Sequence, residues 1–448
     1  MYRLAGLSVA FAICGSAAPN GIDPGSIERI ALEELAATKT PGAAVAVVLG
    51  DRVVFSHGYG LSSVETGVPI TPDMLFRLGS TTKMFTASAV ASLALEGKVE
   101  LNAPVSKYIS GLDPAIGALT ANQLLSHTSG LRDEAPMFGS HDETGLGIGI
   151  HAWKADFLFA PPGRIYSYSN PGYWLAGYLA ETVSGKPYAD VIAERLFRPL
   201  GMQRSTLRPT MAMTWPLAQG HEVRDGKTAI IRPAADNASS WPAGSIFSSV
   251  LDLSRFVIAF MNDGMLDGKR VLPSRLIEIL SSPHATIPGS DDHYGYGLDL
   301  ATADGVQWVH HGGSRAGYGS MIRMAPDRKF AVIITANRTG SSMPKLADAI
   351  SEAALNLASK PDPEPATHPL DTAESLRYAG VYRNGLSKIR LEAADGGVNA
   401  KIDQTALRFT RAGANFLLKG ETKLVLVPGS DNRPEFVFLD GRAFRAER

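Results

Sequence analysis

Three short stretches hold side chains whose types and spacing could do chemistry. In FRLGSTTKMFTASAVASLALEGKV, Ser80 and Lys83 lie three residues apart, at the head of a run that is apolar nearly all round. That spacing puts both on one face of a helix start. A serine there could act simply as a helix cap. A lysine in the first turn of a buried helix fits that role poorly, because it sits at the wrong end of the helix dipole with little water around it. A nucleophile and its base explain both residues. The positive end of the dipole stabilises a developing oxyanion, and a desolvated amine has a depressed pKa and can take a proton.

In RIYSYSNPGYWLAGYLAETVSG, Tyr168, Ser169 and Asn170 stand just before a second helix. A phenol beside a cation can ionise and serve as a general base, and the Asn170 amide can hold a substrate carbonyl. The plainer alternative is an aromatic core patch with Asn170 as a helix cap. In WVHHGGSRAGYGSMIRMAP, His311 stands at the start of an alternating strand, followed by two glycines that allow a ligand close to the backbone. It either points into a cleft or packs in the core. Each stretch alone is a weak signal. GGSRA, Gly312 to Ala316, is a near miss for a nucleophile elbow, with Ala316 where glycine is needed and a strand, not a helix, following.

The elements that must position these residues follow from periodicity. SIERIALEELAATK has apolar Ile27, Ile30, Leu32 and Leu35 at helical spacing. AAVAVVLG and RVVFSHGYG form a hairpin about Gly50–Asp51, and SMIRMAP and KFAVIITAN a second about Asp327–Arg328. A helix from Met343 to Leu357 closes the region. The order implies a sheet with strands from both ends of the domain and helices on its faces. SKPDPEPATHPLDT, residues 359–372, reads as a semi-rigid linker. Beyond it KIRLEA, VNAKID, ALRFTR, NFLLKG, KLVLVPG and EFVFLDG alternate between turn residues, the pattern of a small antiparallel sheet or barrel over 373–448. The glycine-rich stretch from Glu134 to Trp153 reads as an irregular surface loop with the flanks of a substrate lid.

Bulk properties narrow the function classes. The chain has 448 residues, enough for one large and one small domain. Its 45% hydrophobic and 19% charged content is globular, and a formal net charge of −1 without basic clusters argues against nucleic acid as partner. Cys14 is the single cysteine, and no HExxH spacing occurs, so thiol chemistry, disulfides, metal and cofactor are not expected. Arg3, an apolar run to Cys14 and small residues after it predict an export signal over 1–17, hence a periplasmic or secreted protein. Bulky Ile13 before Cys14 argues against a lipid anchor.

Taken in order, Ser80-x-x-Lys83, Tyr168-x-Asn170 and His311-Gly-Gly313 resemble the serine β-lactamase, DD-peptidase and family VIII carboxylesterase superfamily. LLSHTSGL, PPGRIYSYSN, PAGSIFSSVLDLSRF and YGYGLDL support the likeness, which covers about Ile27 to Leu357. The resemblance implies an α+β fold over 24–358, with an antiparallel sheet flanked by helices and an all-helical lobe. It implies that Ser80 is acylated and that Lys83 and Tyr168 share the proton transfers. It implies further that Asn170, His311, Gly313 and Ser314 bind substrate, with the Ser80 and Ser314 N–H groups as oxyanion hole. His311 replaces the usual lysine of the third motif. That points to a small ester or D-amino-acid peptide or amide as substrate, with β-lactams secondary. The alternative is a catalytically weak penicillin-binding sensor.

Overall fold

The computed structural model describes residues 23–358, 366–402, 405–430 and 432–447. The expected export signal, with Cys14, and residues 359–365 of the expected linker lie outside them.

Alternation and β-branched residues build one eight-stranded antiparallel sheet. Its strands are β1 (Gly42–Leu49), β2 (Arg52–Gly60), β3 (Ala285–Thr286), β4 (His293–Tyr294), β5 (Asp299–Ala303), β6 (Val306–Arg315), β7 (Tyr318–Ala325) and β8 (Phe330–Ala336). Their spatial order is β2-β1-β8-β7-β6-β5-β4-β3, so strands from both ends of the domain meet at β1 and β8. β1 is buried on both faces. Ala43, Val45 and Val47 face α1 (Pro24–Thr38) and the closing helix, which covers Pro344–Leu355; Ala44, Ala46 and Val48 face the helical side. In α1, Ile27, Ala31 and Leu35 are buried, but Leu32 turns to solvent, because the stripe follows i, i+4, i+8 and Leu32 falls off it.

The helical side is built on α2 (Thr82–Leu95), whose residues are buried around almost the whole circumference. α3 (Asn170–Ser184) and α4 (Val250–Met261) share its core, with Phe85, Phe256 and Leu175 fully buried or nearly so. Among the described residues no helix is long and apolar enough to cross a membrane.

The C-terminal region is a closed eight-stranded antiparallel barrel running from Gly380–Asn384 to Arg442–Ala446. Its first and last strands carry no strong sequence signal and are paired to each other, Tyr382 opposite Ala446. Leu370, within the stretch read as linker, is buried in the barrel core, and residue 396 pairs with it. One outer face of the barrel packs on the N-terminal domain. There Phe436, Phe438 and Ala443 meet Tyr166 and Tyr294.

Candidate active site

Ser80 sits in a 3-10 turn, Gly79–Thr81, immediately before α2. Gly79 has φ +58°, and a Cβ there would lie 2.6 Å from the Ser314 nitrogen. The turn can therefore press against β6 only with glycine at this position. Gly313 does the same from the other side, since its Cβ would overlap the Leu78 carbonyl oxygen. Ser320 on β7 completes the clamp by donating to Leu78 O at 2.5 Å. The two glycines of the third motif therefore lie within a ten-residue strand, not before one. At Gly313 the backbone approached is that of Leu78, beside the turn that carries Ser80.

Neither capping explanation holds for the motif residues. α2 has Thr81 at its N-cap position with no side-chain cap bond. In α3 it is Ser169 that caps, accepting from the Gly172 N–H at 3.3 Å. That leaves Ser80 and the Asn170 amide free for other partners.

Those partners converge on Lys83, which is fully buried. Its Nζ lies 3.1 Å from Ser80 Oγ, 2.8 Å from Asn170 Oδ1 and 2.8 Å from the Ala243 carbonyl oxygen. The amide orientation is fixed by Asp133. Its Oδ1 accepts from Asn170 Nδ2 at 3.0 Å and from the Asn170 N–H at 2.8 Å. A carboxylate only accepts, so Oδ1 of Asn170 must face the lysine. Burial holds Lys83 well below the usual lysine range. A neutral amine has two N–H donors and one lone pair. The two carbonyl oxygens take the donors, and the lone pair is left for the Ser80 hydroxyl.

Tyr168 covers this group, with Lys83 Nζ 4.6 Å from its ring centroid. Burial drives the phenol up, and its contact with Ser80 does not offset this. Tyr168 thus rests as a neutral phenol rather than the phenolate expected from the sequence. Desolvation disfavours the charged form of an acid and of a base alike, and here both have lost their water. The Tyr168 ring lies 4.3 Å from that of His127, whose Nδ1 accepts the Ser169 N–H at 3.1 Å.

His311 lies in the middle of β6, opposite Ile322, and is buried. Its Nδ1 donates to Gly312 O at 2.6 Å, so its Nε2 accepts from the Tyr294 hydroxyl at 3.1 Å. Both nitrogens are committed within the protein. Burial and the neighbouring Lys83 hold it down at about 3, so it is neutral and carries no cation for a substrate. Ser314, by contrast, is exposed and lines a cleft of about 320 Å³ with Ser80, Tyr168, Asn170, Met137 and Arg442.

The Beta-lactamase family model matches residues 27–355. The chain belongs to the β-lactamase family. It is 25% identical to Protein flp of Staphylococcus aureus (strain NCTC 8325 / PS 47) over 339 residues, 74% of this chain. The match spans 66% of that relative's length. The crystal structure of SurE with D-Leu superposes with a TM-score of 0.76 at 26% identity, covering 94% of this chain and 99% of that one. The D-amino acid amidase of Ochrobactrum anthropi SV3, complexed with L-phenylalanine amide, gives a TM-score of 0.63 at 25% identity over 74% of this chain and 98% of its own.

Within this β-lactamase-family cleft, the structure adds residues that the sequence reading did not single out. They are Asp133, the Ala243 carbonyl and Arg442, the last from the barrel. The segment read as an irregular loop also differs. Gly145–His151 is a short helix, while Ala135, Pro136 and Met137 line the cleft. The Pro136 carbonyl is held by Asn237 Nδ2 at 3.0 Å.

Proposed function

We propose that the chain hydrolyses a D-amino-acid amide or peptide, or a small ester, through an acyl-enzyme on Ser80. The observation that carries this reading is the lysine whose two carbonyl partners leave its lone pair for Ser80 Oγ, 3.1 Å away. As Oγ attacks the substrate carbonyl, its proton passes to Lys83 Nζ. The oxyanion forms beside the Ser80 and Ser314 backbone N–H groups. Tyr168 hands its phenolic proton to the departing amine or alkoxide and is reprotonated from Lys83. Water then attacks the acyl carbonyl, gives its proton back along the same path, and the acid leaves with Ser80 restored. Neutral Lys83 and neutral Tyr168 suit this relay, because it needs a base and an acid without net charge in a dry site. The likeness to a D-amino acid amidase and to SurE with D-Leu supports the amide or peptide class, and neutral His311 suits a substrate that needs no fixed cation at that strand position. The Glu134–Trp153 segment acts as one wall of the substrate cleft.

Intact-mass measurement after incubation with a fluorophosphonate tests the nucleophile. One adduct, absent in Ser80→Ala, is expected, and no adduct would favour a non-catalytic binding protein. Turnover of D-amino-acid amides, D-Ala-D-Ala peptides, p-nitrophenyl esters and nitrocefin on one sample ranks the substrates.

A further inference from the structure

The last hairpin of the barrel reaches the catalytic centre. Its turn holds Asp440 and Gly441 at positive φ, and the Gly441 carbonyl accepts the Tyr168 N–H at 2.9 Å. The Ala443 N–H donates to Ser167 Oγ at 3.1 Å. Between them Arg442 places Nε 2.7 Å and Nη2 2.6 Å from Asp133 Oδ2. Its Cζ lies 5.3 Å from the centre of the Tyr168 ring. The Asp133 side chain is 6% exposed, and its other oxygen holds the Asn170 amide that faces Lys83.

We propose that Arg442 is a positioning residue for the reaction: by pinning Asp133 it fixes the Asn170 amide against Lys83 and balances the carboxylate's charge beside the amine. The inference rests on the reading in which Lys83 takes the Ser80 proton. Arg442 is committed to this task by two bonds to one carboxylate oxygen. A lysine could supply the charge but not the fork.

The groups facing Lys83 are Ser80 on its own turn, Asn170, Tyr168 and Tyr173 from α3 and its approach, His127 and His311, Asp133, and Arg442. Burial holds both histidines down and neutral. Asp133 favours the ammonium and Arg442 opposes it. Without Arg442 the carboxylate acts on Lys83 uncompensated, and more of the amine is protonated at a given pH.

The test is the pH profile of kcat/KM for a p-nitrophenyl ester in the full chain, with active sites counted by fluorophosphonate labelling. In Arg442→Met the acid limb should move up by about one pH unit, and kcat should fall roughly 10-fold while KM changes less. Asp133→Asn should move the limb down, and the double variant should bring it back towards the wild-type position. Arg442→Lys should keep the limb but lose part of kcat; it serves, with Asp133→Asn, if Arg442→Met does not fold. A labelled wild type whose limb stays put in Arg442→Met and Asp133→Asn overturns this inference alone. A wild type that takes no label overturns the acyl-enzyme reading and the inference with it.

Discussion

Lys83 Nζ and the Ala243 carbonyl oxygen are 2.8 Å apart, inside a core where neither meets water. The bond is what makes a neutral lysine tolerable there, because it occupies one of only two donors the amine has. Lys83→Met should therefore fold. It removes a desolvated amine but leaves the Ala243 and Asn170 oxygens unpaired, at about 1–3 kcal/mol each, so the two effects largely offset. We expect a urea midpoint equivalent to within about 2 kcal/mol of wild type and a kcat/KM lower by roughly 10²–10⁴. Stability lost in proportion to activity would make Lys83 a structural residue.

Acid should weaken the fold through the third motif. His311 is held at about 3 by burial, against an ordinary value of about 6.5, so the unfolded chain binds a proton that the folded one refuses. Stability is complete above pH 6.5 and falls as pH drops towards 3, by about 1.4 kcal/mol per pH unit. His310, held at about 4, adds to the same slope. By urea midpoints between pH 7.0 and 5.0, His311 alone should account for about 2 kcal/mol of lost stability, with His127 and His310 adding to it, and His311→Gln should remove only that share. A wild-type midpoint that does not move over this range would show His311 free to protonate in the fold.

What could be read from sequence was local chemistry. α2 is legible because an all-round apolar run allows no exposed face, and Ser80 and Lys83 fall within one turn of it. The inner barrel strands are legible by their period of two. The first and last strands, GVYRN and RAFRA, are short and charged; each pairs mainly with its hairpin neighbour, and their meeting at Tyr382 and Ala446 closes the barrel. Asp133 and Arg442 are 309 residues apart and meet only when the barrel docks. The Ala243 contact is made by backbone, which leaves no trace in residue type. Gly313 was legible as a close approach, but its neighbour is the Leu78 carbonyl beside the Ser80 turn and not a ligand.

Met137 should govern substrate choice without governing stability. It is 45% exposed, yet lines the cleft, on a segment tied down by Asn237. Met137→Ala should change stability by less than about 0.5 kcal/mol, as surface changes do. The ratio of kcat/KM for D-phenylalanine amide over D-alanine amide should change roughly 3- to 10-fold, from apolar area lost at the mouth. Gly139→Ala should act in the same direction, since its Cβ would fall 2.6 Å from Asn237 Cγ and dislodge the anchor. An unchanged ratio in both variants would remove this segment from substrate recognition.

Arg315 should prove a burden on the fold. Its Nε and Nη2 are buried without a hydrogen-bond partner among the described residues, and Nη1 reaches the Gly244 carbonyl only at 3.4 Å. The nearby carboxylate, Asp236, is already taken by Arg77 Nη2 at 2.5 Å and by His141 Nδ1 at 3.1 Å. Two guanidinium groups thus share one carboxylate, and burial with the adjacent Arg77 holds Arg315 down at about 9. Replacing an uncompensated buried cation by an apolar side chain of similar length is expected to stabilise, so Arg315→Met should gain about 1–3 kcal/mol at pH 7. A variant less stable than wild type at pH 7 would mean that the guanidinium is compensated after all.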